Sequence, residues 1–430
     1  MKAAYYTLGC KVNQYETEVM REQMEQRGFD TVDFSDIADV YIVNTCTVTA
    51  VSDKKSRQIL SRARRLNPNA VIVAAGCLPQ TSENVPHADI LIGTEEKNHA
   101  AQIICDFISK RDKISCLPLR EVGLLENIHT FTPSLISKMT DRTRATVKIQ
   151  DGCRNFCTYC IIPFARGPLR SKAPDEAVSE VKALAEAGFC EIVLCGIHLA
   201  SYGRGTDTSL ADLMAMISRE SVTTRIRLGS LEPVVITDEF LASLASIPGF
   251  CPQFHLSLQS GCTETLKRMH RHYTAEQYMQ AVEKIRKVFS NGAITTDIMV
   301  GFPGETDDEF ASSLEFAKAV GFARAHVFSY SRRKGTLADK MPNQIPEPVK
   351  AERSAAMIAA TDETRRQYEA SFIGKTLSVL FEREKSAGVY DGFSENYICV
   401  HAKSDRDISG KVINVKITST HEEGLFGELI

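Results

Sequence analysis

Thr146-Val147-Lys148-Ile149-Gln150-Asp151-Gly152-Cys153-Arg154-Asn155-Phe156-Cys157-Thr158-Tyr159-Cys160 joins a β-rich run to three cysteines separated by three and then two residues. The alternation through Val147 and Ile149 predicts a strand over 146–150 that delivers the cysteines at its carboxyl end. Three thiolates at this spacing suit an iron-sulfur cluster. A cubane takes four ligands, so three leave one iron open to another group. An open metal position marks a working site, by the logic that separates catalytic from structural metals. The competing readings are a zinc knuckle or three buried thiols. Zinc sites favour paired units at matching spacing, and the nearest downstream histidine, His198, lies beyond the next predicted strand.

Downstream, β-rich runs at 191–194, 225–228, 254–258, 294–300 and 326–328 alternate with helical patterns at 174–187, 209–219, 238–246, 275–289 and 307–320. Six βα units predict a partial (βα)6 barrel, whose chemistry collects at the carboxyl ends of its strands. Ser257-Leu258-Gln259-Ser260-Gly261 closes the fourth strand with hydroxyl and amide groups suited to a ribose or an amino-acid moiety. Gly301 and Gly304 after the fifth let backbone approach a flat ligand. Glu232 after the third places a carboxylate where it can bind an ammonium group. His198, after the second, reads by itself as a structural histidine.

Upstream, residues 1–115 alternate strands at 3–8, 40–43, 71–75 and 90–92 with helical patterns at 17–27, 52–66 and 95–108, as an open parallel sheet covered by helices does. Cys10, Cys46 and Cys77 each follow one of the first three strands. In such a sheet the carboxyl ends share one edge, where ligands bind. Cysteines more than thirty residues apart therefore converge, and Gly9 and Gly76 leave room for a bulky group beside them. This predicts a second metal or cluster site.

Residues 116–143 show no lasting period and read as a surface connector. After the break at Pro342–Pro348, residues 349–372 read as one long charged helix, and short alternating runs at 377–382, 397–400, 410–418 and 425–429 predict a small β-barrel. Such barrels often bind RNA. This one carries seven Lys and Arg against nine Asp and Glu over 371–430, so charge alone does not argue for it. The net charge of the whole chain is −3, which restricts nucleic-acid binding to a local patch. Denser positive charge lies at Lys54, Lys55, Arg57, Arg62, Arg64 and Arg65, and at Arg332-Arg333-Lys334. A cationic helix face is commonly only solvated surface; beside an active site it can hold phosphates. No stretch reads as a signal peptide or a membrane span, which predicts a cytoplasmic protein. There thirteen cysteines act as ligands, reactive thiols or core fillers, since disulfides stay reduced. Cys105, Cys116, Cys190, Cys195, Cys251, Cys262 and Cys399 are read as core or loop residues.

On these residues the chain resembles, over nearly its whole length, the radical S-adenosylmethionine methylthiotransferases. Gly9-Cys10-Lys11-Val12-Asn13, Asn44-Thr45-Cys46-Thr47-Val48-Thr49 and Ala75-Gly76-Cys77 look like the family's amino-terminal cluster-binding domain. Cys153, Cys157 and Cys160 look like its radical triplet, and the last segment looks like its RNA-binding TRAM barrel. The resemblance implies a flavodoxin-like domain over 1–115, a connector over 116–143, a radical barrel over 144–345, a linking helix over 346–371 and a TRAM-like barrel over 372–430. It implies two [4Fe-4S] clusters, one on each cysteine set, and S-adenosylmethionine chelated at the open iron of the triplet. Cleavage of that cofactor to a 5′-deoxyadenosyl radical would activate a carbon. Sulfur from the Cys10, Cys46 and Cys77 cluster would be inserted there, and a second S-adenosylmethionine would supply the methyl group. By position, Tyr159, Glu232, Ser257 and Gln259 are the candidate cofactor contacts. Flavodoxin or ferredoxin is the kind of electron donor implied.

The Cys46-Thr47-Val48-Thr49 run with Ser52-Asp53-Lys54-Lys55-Ser56-Arg57-Gln58 is similar to the branch acting on N6-threonylcarbamoyladenosine beside the anticodon of tRNA. Relatives acting on isopentenyl-adenosine tend to read Gly-Cys-Gln-Met-Asn at the first cysteine. The expected partner is thus the tRNA anticodon stem-loop at position 37. A branch that modifies an aspartate of a ribosomal protein, a non-catalytic iron-sulfur carrier and a plain RNA-binding module stand as the alternatives.

Overall fold

Val40-Tyr41-Ile42-Val43 is apolar without interruption because both faces of its strand are covered. Tyr41 and Val43 pack with Leu60 and Ala63 on one side, Val40 and Ile42 with Met20 and Met24 on the other. The computed structural model describes residues 1–110, 118–140, 142–220 and 224–430. They divide into two compact units. The first is Met1–Thr140, Lys148–Ala173 and Ser331–Asp339; the second is Asp141–Val147, Pro174–Tyr330 and Lys340–Ile430.

The first unit runs β1 (Lys2–Thr7), α1 (Lys11–Glu25), β2 (Asp30–Val32), β3 (Val40–Thr45), α2 (Ala50–Leu66), β4 (Val71–Gly76), α3 (Cys77–Thr81), β5 (Ile90–Ile92), α4 (Ala100–Lys110) and β6 (Leu119–Glu121). Its six strands form one parallel sheet in the order β2-β1-β3-β4-β5-β6, the flavodoxin-like order with one strand added. Two of these strands were not expected. β2 and β6 are three-residue edge strands, too short for a period to show, and β6 lies in the stretch read as a connector. Helix α1 also starts earlier than its pattern predicts, directly after Cys10. β7 (Ala145–Asp151), whose last four residues belong to this unit, pairs through Gln150 and Asp151 with β8 (Arg170–Ser171), and α5 (Ile162–Arg166) lies between them in sequence.

The second unit alternates α6 (Pro174–Glu186), β9 (Glu191–Gly196), α7 (Leu210–Glu220), β10 (Arg225–Leu228), β11 (Ser230–Leu231), α8 (Asp238–Ala245), β12 (Gln253–Leu256), α9 (Thr263–Arg268), α10 (Ala275–Val288), β13 (Ala293–Val300), α11 (Asp307–Val320) and β14 (Arg324–Ser329). β9 pairs with β10, and β11 to β14 pair in turn, all in parallel, so the strand ends fall on one side as a barrel requires. Thr274 and Thr306 begin α10 and α11 with reciprocal capping boxes, and Gly321 ends α11 in the left-handed conformation. The long charged helix is α12 (Glu347–Ala370).

β15 (Thr376–Ser386), β16 (Val389–Ser394), β17 (Cys399–Lys403), β18 (Val412–His421) and β19 (Gly424–Leu429) then close a barrel in the order β15-β16-β17-β19-β18. Arg225 and Arg227 on β10 tie this barrel into the unit. Arg225 donates to Ser378 O at 3.2 Å, and Arg227 donates to Ser394 O at 3.1 Å and Glu395 O at 2.8 Å. Both converge on Glu191, which is fully buried. Burial alone would raise that carboxyl, but the arginines win and hold it at about 2.

Candidate iron-sulfur and cofactor-binding site

The three amino-terminal cysteines follow β1, β3 and β4, which are neighbours in the sheet. Thr7 pairs with Asn44, and Thr45 with Gly76, so the three chains leave the sheet edge side by side. Cys10 precedes α1 and Cys77 opens α3, so two of the thiols sit at helix amino ends; burial pushes the Cys10 thiol up, against the pull of Arg166 and the Asn13 N–H. Gly9 has φ +95°, and a Cβ there would lie 2.9 Å from both Cβ and Sγ of Cys46. Gly76 has φ +94°, and its Cβ would meet Asn44 Oδ1 at 2.8 Å. Only glycine lets these turns come so close to the neighbouring strand.

A polar scaffold fixes the three turns. Asn13 Nδ2 donates to Leu8 O at 2.7 Å and to Thr45 O at 3.0 Å, joining the first turn to the second. Thr45 Oγ1 donates to Ala75 O at 2.7 Å and accepts from Leu78 N at 3.1 Å, joining the second to the third. Ser56 Oγ accepts from Cys46 N at 3.2 Å and donates to Cys46 O at 2.9 Å. Burial pushes the Cys46 thiol up; the Val48 N–H pulls it down, and the charges of Cys77 and Cys10 push it further, so the three thiols stand within electrostatic reach of one another. A cubane places its thiolates on different irons, so they stand wider apart than the ligands of one ion. Among the described residues, no three His, Cys, Asp or Glu side chains close to the span of a single ion.

In the same unit, the triplet follows β7. Gly152 turns the chain at φ +77°, where a Cβ would fall 1.7 Å from Pro168 O, and Cys153 N donates to Gly167 O at 3.1 Å. Cys160 N donates to Cys157 O at 2.9 Å, and Ile162 N donates to Cys160 Sγ at 3.4 Å, which fixes the direction of that sulfur. Tyr159 lies inside this turn and is half-buried. Phe156 and Phe164 stand exposed beside it, edge to face at 5.9 Å.

Sequence reading missed the buried charges between these two cysteine sets. Arg166 grips Glu16 with Nη1 at 2.5 Å and Nη2 at 3.0 Å, and also reaches Asn13 Oδ1. Lys148 bridges Glu16 at 2.7 Å and Asp151 at 2.6 Å, and Lys97 pairs with Glu16 as well. Burial pushes the Glu16 carboxyl up, but Arg166, Lys148 and Lys97 outweigh it and hold it well below the carboxylate range. Asp151, also raised by burial, is pulled down to about 2 by Lys148, Arg166 and Arg170. Lys97, Lys148, Arg166 and Arg170 thus face Glu16, Asp151 and the half-buried Glu95, a surplus of one cation, and Cys77 lies within electrostatic reach of Arg166 and Lys97. These pairs span up to 150 positions along the chain, so no local pattern announces them.

The strand ends of the second unit bring other predicted residues together. Glu232 Oε1 is 2.8 Å from Arg271 Nη2, and Glu232 Oε2 is 3.0 Å from His198 Nε2. Arg271 lies over the Tyr273 ring at 4.9 Å, and Tyr273 donates to Ser257 O and to Leu258 O. Gln259 takes φ +68° and pairs its backbone with Asp297 and Met299 of β13. Glu232 therefore already has a cation partner in Arg271, and His198 belongs to the same set. Of the remaining cysteines, Cys195 and Cys251 are buried, while Cys105, Cys190, Cys262 and Cys399 are partly exposed; Cys116 lies outside the described residues.

The chain matches the family model described as the radical SAM superfamily over residues 147–317 and that of the uncharacterized protein family UPF0004 over residues 2–93. It is 39% identical over 440 residues to the threonylcarbamoyladenosine tRNA methylthiotransferase MtaB of Bacillus subtilis, covering 99% of this chain and 96% of that protein. It is 37% identical to the MtaB of Thermotoga maritima, covering 97% and 95%. A tRNA-2-methylthio-N(6)-dimethylallyladenosine synthase of Clostridium novyi is 34% identical, covering 99% and 95%. Among solved structures, the radical S-adenosylmethionine methyltransferase TsrM of Kitasatospora setae shares the fold at a TM-score of 0.56 and 15% identity, over 76% of this chain and 72% of that one. The match to the radical superfamily takes in the segment that carries Cys153, Cys157 and Cys160, and the two MtaB relatives are 37–39% identical over nearly the whole chain; the chain is an enzyme of the radical S-adenosylmethionine tRNA methylthiotransferase family.

Proposed function

We propose that the chain converts N6-threonylcarbamoyladenosine at position 37 of tRNA to its 2-methylthio derivative. The observation that carries this reading is the placement of Cys10, Cys46 and Cys77 at the ends of three adjacent parallel strands, in the same compact unit as the Cys153, Cys157 and Cys160 turn. The similarity to two MtaB proteins over nearly their full length supports the choice of nucleoside. Bound at these two sets, [4Fe-4S] clusters would supply the electron that cleaves S-adenosylmethionine and the sulfur that is transferred.

The donor chemistry fits such groups. Gly9 and Gly76 keep the first mouth open, α1 and α3 point their amino ends at it, and the surplus buried cation offsets the negative charge that thiolate-ligated iron brings. Arg166 and Asn13 hold the turn that bears Cys10. The Ile162 N–H orients Cys160, and Gly152 sets the direction in which the triplet leaves β7. Tyr159 in the first unit is assigned to the cofactor held by the triplet. In the second unit, Glu232, Ser257 and Gln259 are assigned to polar parts of S-adenosylmethionine, with Arg271 fixing the Glu232 carboxylate. A one-electron donor of the flavodoxin or ferredoxin kind serves the triplet, and the TRAM-like barrel over 372–430 is read as a contact for RNA. No helix among the described residues is long and apolar enough to cross a membrane. A cytoplasmic setting goes with this reading, since thiols stay reduced there.

The test is mass spectrometry of nucleosides from bulk tRNA of cells with and without the protein. Loss of the methylthio mark on threonylcarbamoyladenosine is expected. Loss from dimethylallyladenosine instead would move the chain to the other branch, and no change in any nucleoside would overturn the reading.

A further inference from the structure

We infer that a basic groove on the first unit is the seat of the substrate RNA's phosphate backbone, an assignment that rests on the tRNA reading above and deepens it. The groove encloses about 1110 Å³ between α2 and the segment after β14. Six cationic side chains line it, Lys54, Arg57 and Arg65 from α2 and Arg332, Arg333 and Lys334 from the later segment, against two carboxylates, Asp53 and Glu83. In a chain whose net charge is −3, this is a concentrated positive field.

The internal pairing of the groove leaves much of that charge facing out. Asp53 is occupied by Arg57 at 2.7 Å and by Arg333 at 3.4 Å. Arg332 reaches Asp339 but is exposed. Lys54, Arg65 and Lys334 are exposed, and no carboxylate of the described residues pairs with them. No phenylalanine, tyrosine or tryptophan lines the walls, while Gln58, Ser61 and Asn84 add neutral polar groups. A surface of this kind grips phosphates and does not stack bases, so it positions RNA without reading its sequence.

The groove also adjoins both cysteine sets. Arg333 Nε donates to Thr47 O at 2.8 Å, next to Cys46, and Ile161, next to Cys160, forms part of the wall. A strand of RNA lying in it would run beside both cysteine turns. Solvated helix surface, the plain alternative, does not explain why two segments about 270 positions apart in sequence build one cationic wall against these turns.

The experiment measures binding of a fluorescent anticodon stem-loop RNA to the full chain across a salt series. The triple variant K54A/R65A/K334A removes exposed cations that bury no side chain. Its affinity at about 0.1 M salt is expected to fall at least about tenfold, and its log-log salt slope to fall by about 1 per residue removed. The charge-keeping K54R/R65K/K334R variant is expected to retain wild-type affinity and slope, and K182A/K267A/K318A, on other exposed helices, to change neither. If the first variant binds as the wild type does while cells lacking the protein lose the methylthio mark, the groove assignment is overturned and the tRNA reading stands. If wild type shows no affinity for the stem-loop and no mark is lost, both fall.

Discussion

Arg166 forks onto Glu16, Nη1 to Oε1 at 2.5 Å and Nη2 to Oε2 at 3.0 Å, with both side chains buried. The pair crosses from the triplet segment to the helix that begins at Cys10, and Lys97 and Lys148 crowd the same carboxylate. Removing Glu16 leaves Lys97, Lys148 and Arg166 with Asp151 as the nearby carboxylate, which Arg170 already shares. Glu16→Gln is therefore expected to destabilise the protein by about 3–5 kcal/mol, the range for breaking a buried pair. Arg166→Lys should also weaken it, because an ammonium cannot span both carboxylate oxygens. Urea unfolding of the two variants checks this; a Glu16→Gln cost under about 1 kcal/mol would remove the network from the structural account.

Two carboxylates set an acid limit. Asp151 and Glu191 are both held at about 2 in the folded chain, below their ordinary range near 4. A depressed carboxyl contributes stability that is complete above its unfolded value and drains away as pH falls toward the folded one. Each contributes on the order of 2–3 kcal/mol at neutral pH, lost between about pH 4 and pH 2. Urea midpoints at pH 7, 4 and 3 should drop steeply over the last interval. Asp151→Asn and Glu191→Gln should each flatten that drop while lowering stability at pH 7.

Gly9 tests the fit of the first cysteine mouth. An alanine there carries both a left-handed backbone and a Cβ 2.9 Å from the Cys46 side chain. Gly9→Ala is expected to splay the Cys10 and Cys46 turns and to reduce iron in the reconstituted protein by about half, one cluster of two. Gly28→Ala is the control: its φ of +83° imposes a similar backbone strain, but its Cβ meets nothing within 4 Å. Equal iron loss in both would place the effect in the backbone and not in the crowding at Cys46.

Much of this was legible before the structure, for physical reasons that can be named. The buried strands of the parallel sheet declare themselves by uninterrupted apolar runs such as 71–75, and cysteines just past them fall on one edge by topology. The three-residue strands β2 and β6 carry no period. Helix α1 begins at Lys11, where Asn13 is held by Leu8 O of its own turn and by Thr45 O of the next, and the second bond is a tertiary one that a window of sequence does not contain. Glu16, Arg166, Lys97 and Lys148 look like ordinary surface charges until folding buries them together. Glu232 was readable as a carboxylate at a strand end, but its partner Arg271 was not, since that arginine sits beyond the next strand and a short helix.

The division of labour between the two cysteine sets gives the sharpest test. Cys157 is buried in the triplet turn and Cys46 at the end of β3, so alanine at either removes a thiol and little volume. Cys157→Ala should abolish reductive cleavage of S-adenosylmethionine and, with it, every later step. Cys46→Ala should leave cleavage in place and abolish sulfur insertion, since the triplet has its own turn, anchored by Gly152 and by the Cys160 N–H bond to Cys157 O. Chromatography of 5′-deoxyadenosine and nucleoside mass spectrometry on one reaction mixture read both steps together. Cleavage lost in both variants would mean that the cysteine sets act as one centre. Methylthiolation retained in Cys46→Ala would take sulfur transfer away from the amino-terminal set altogether.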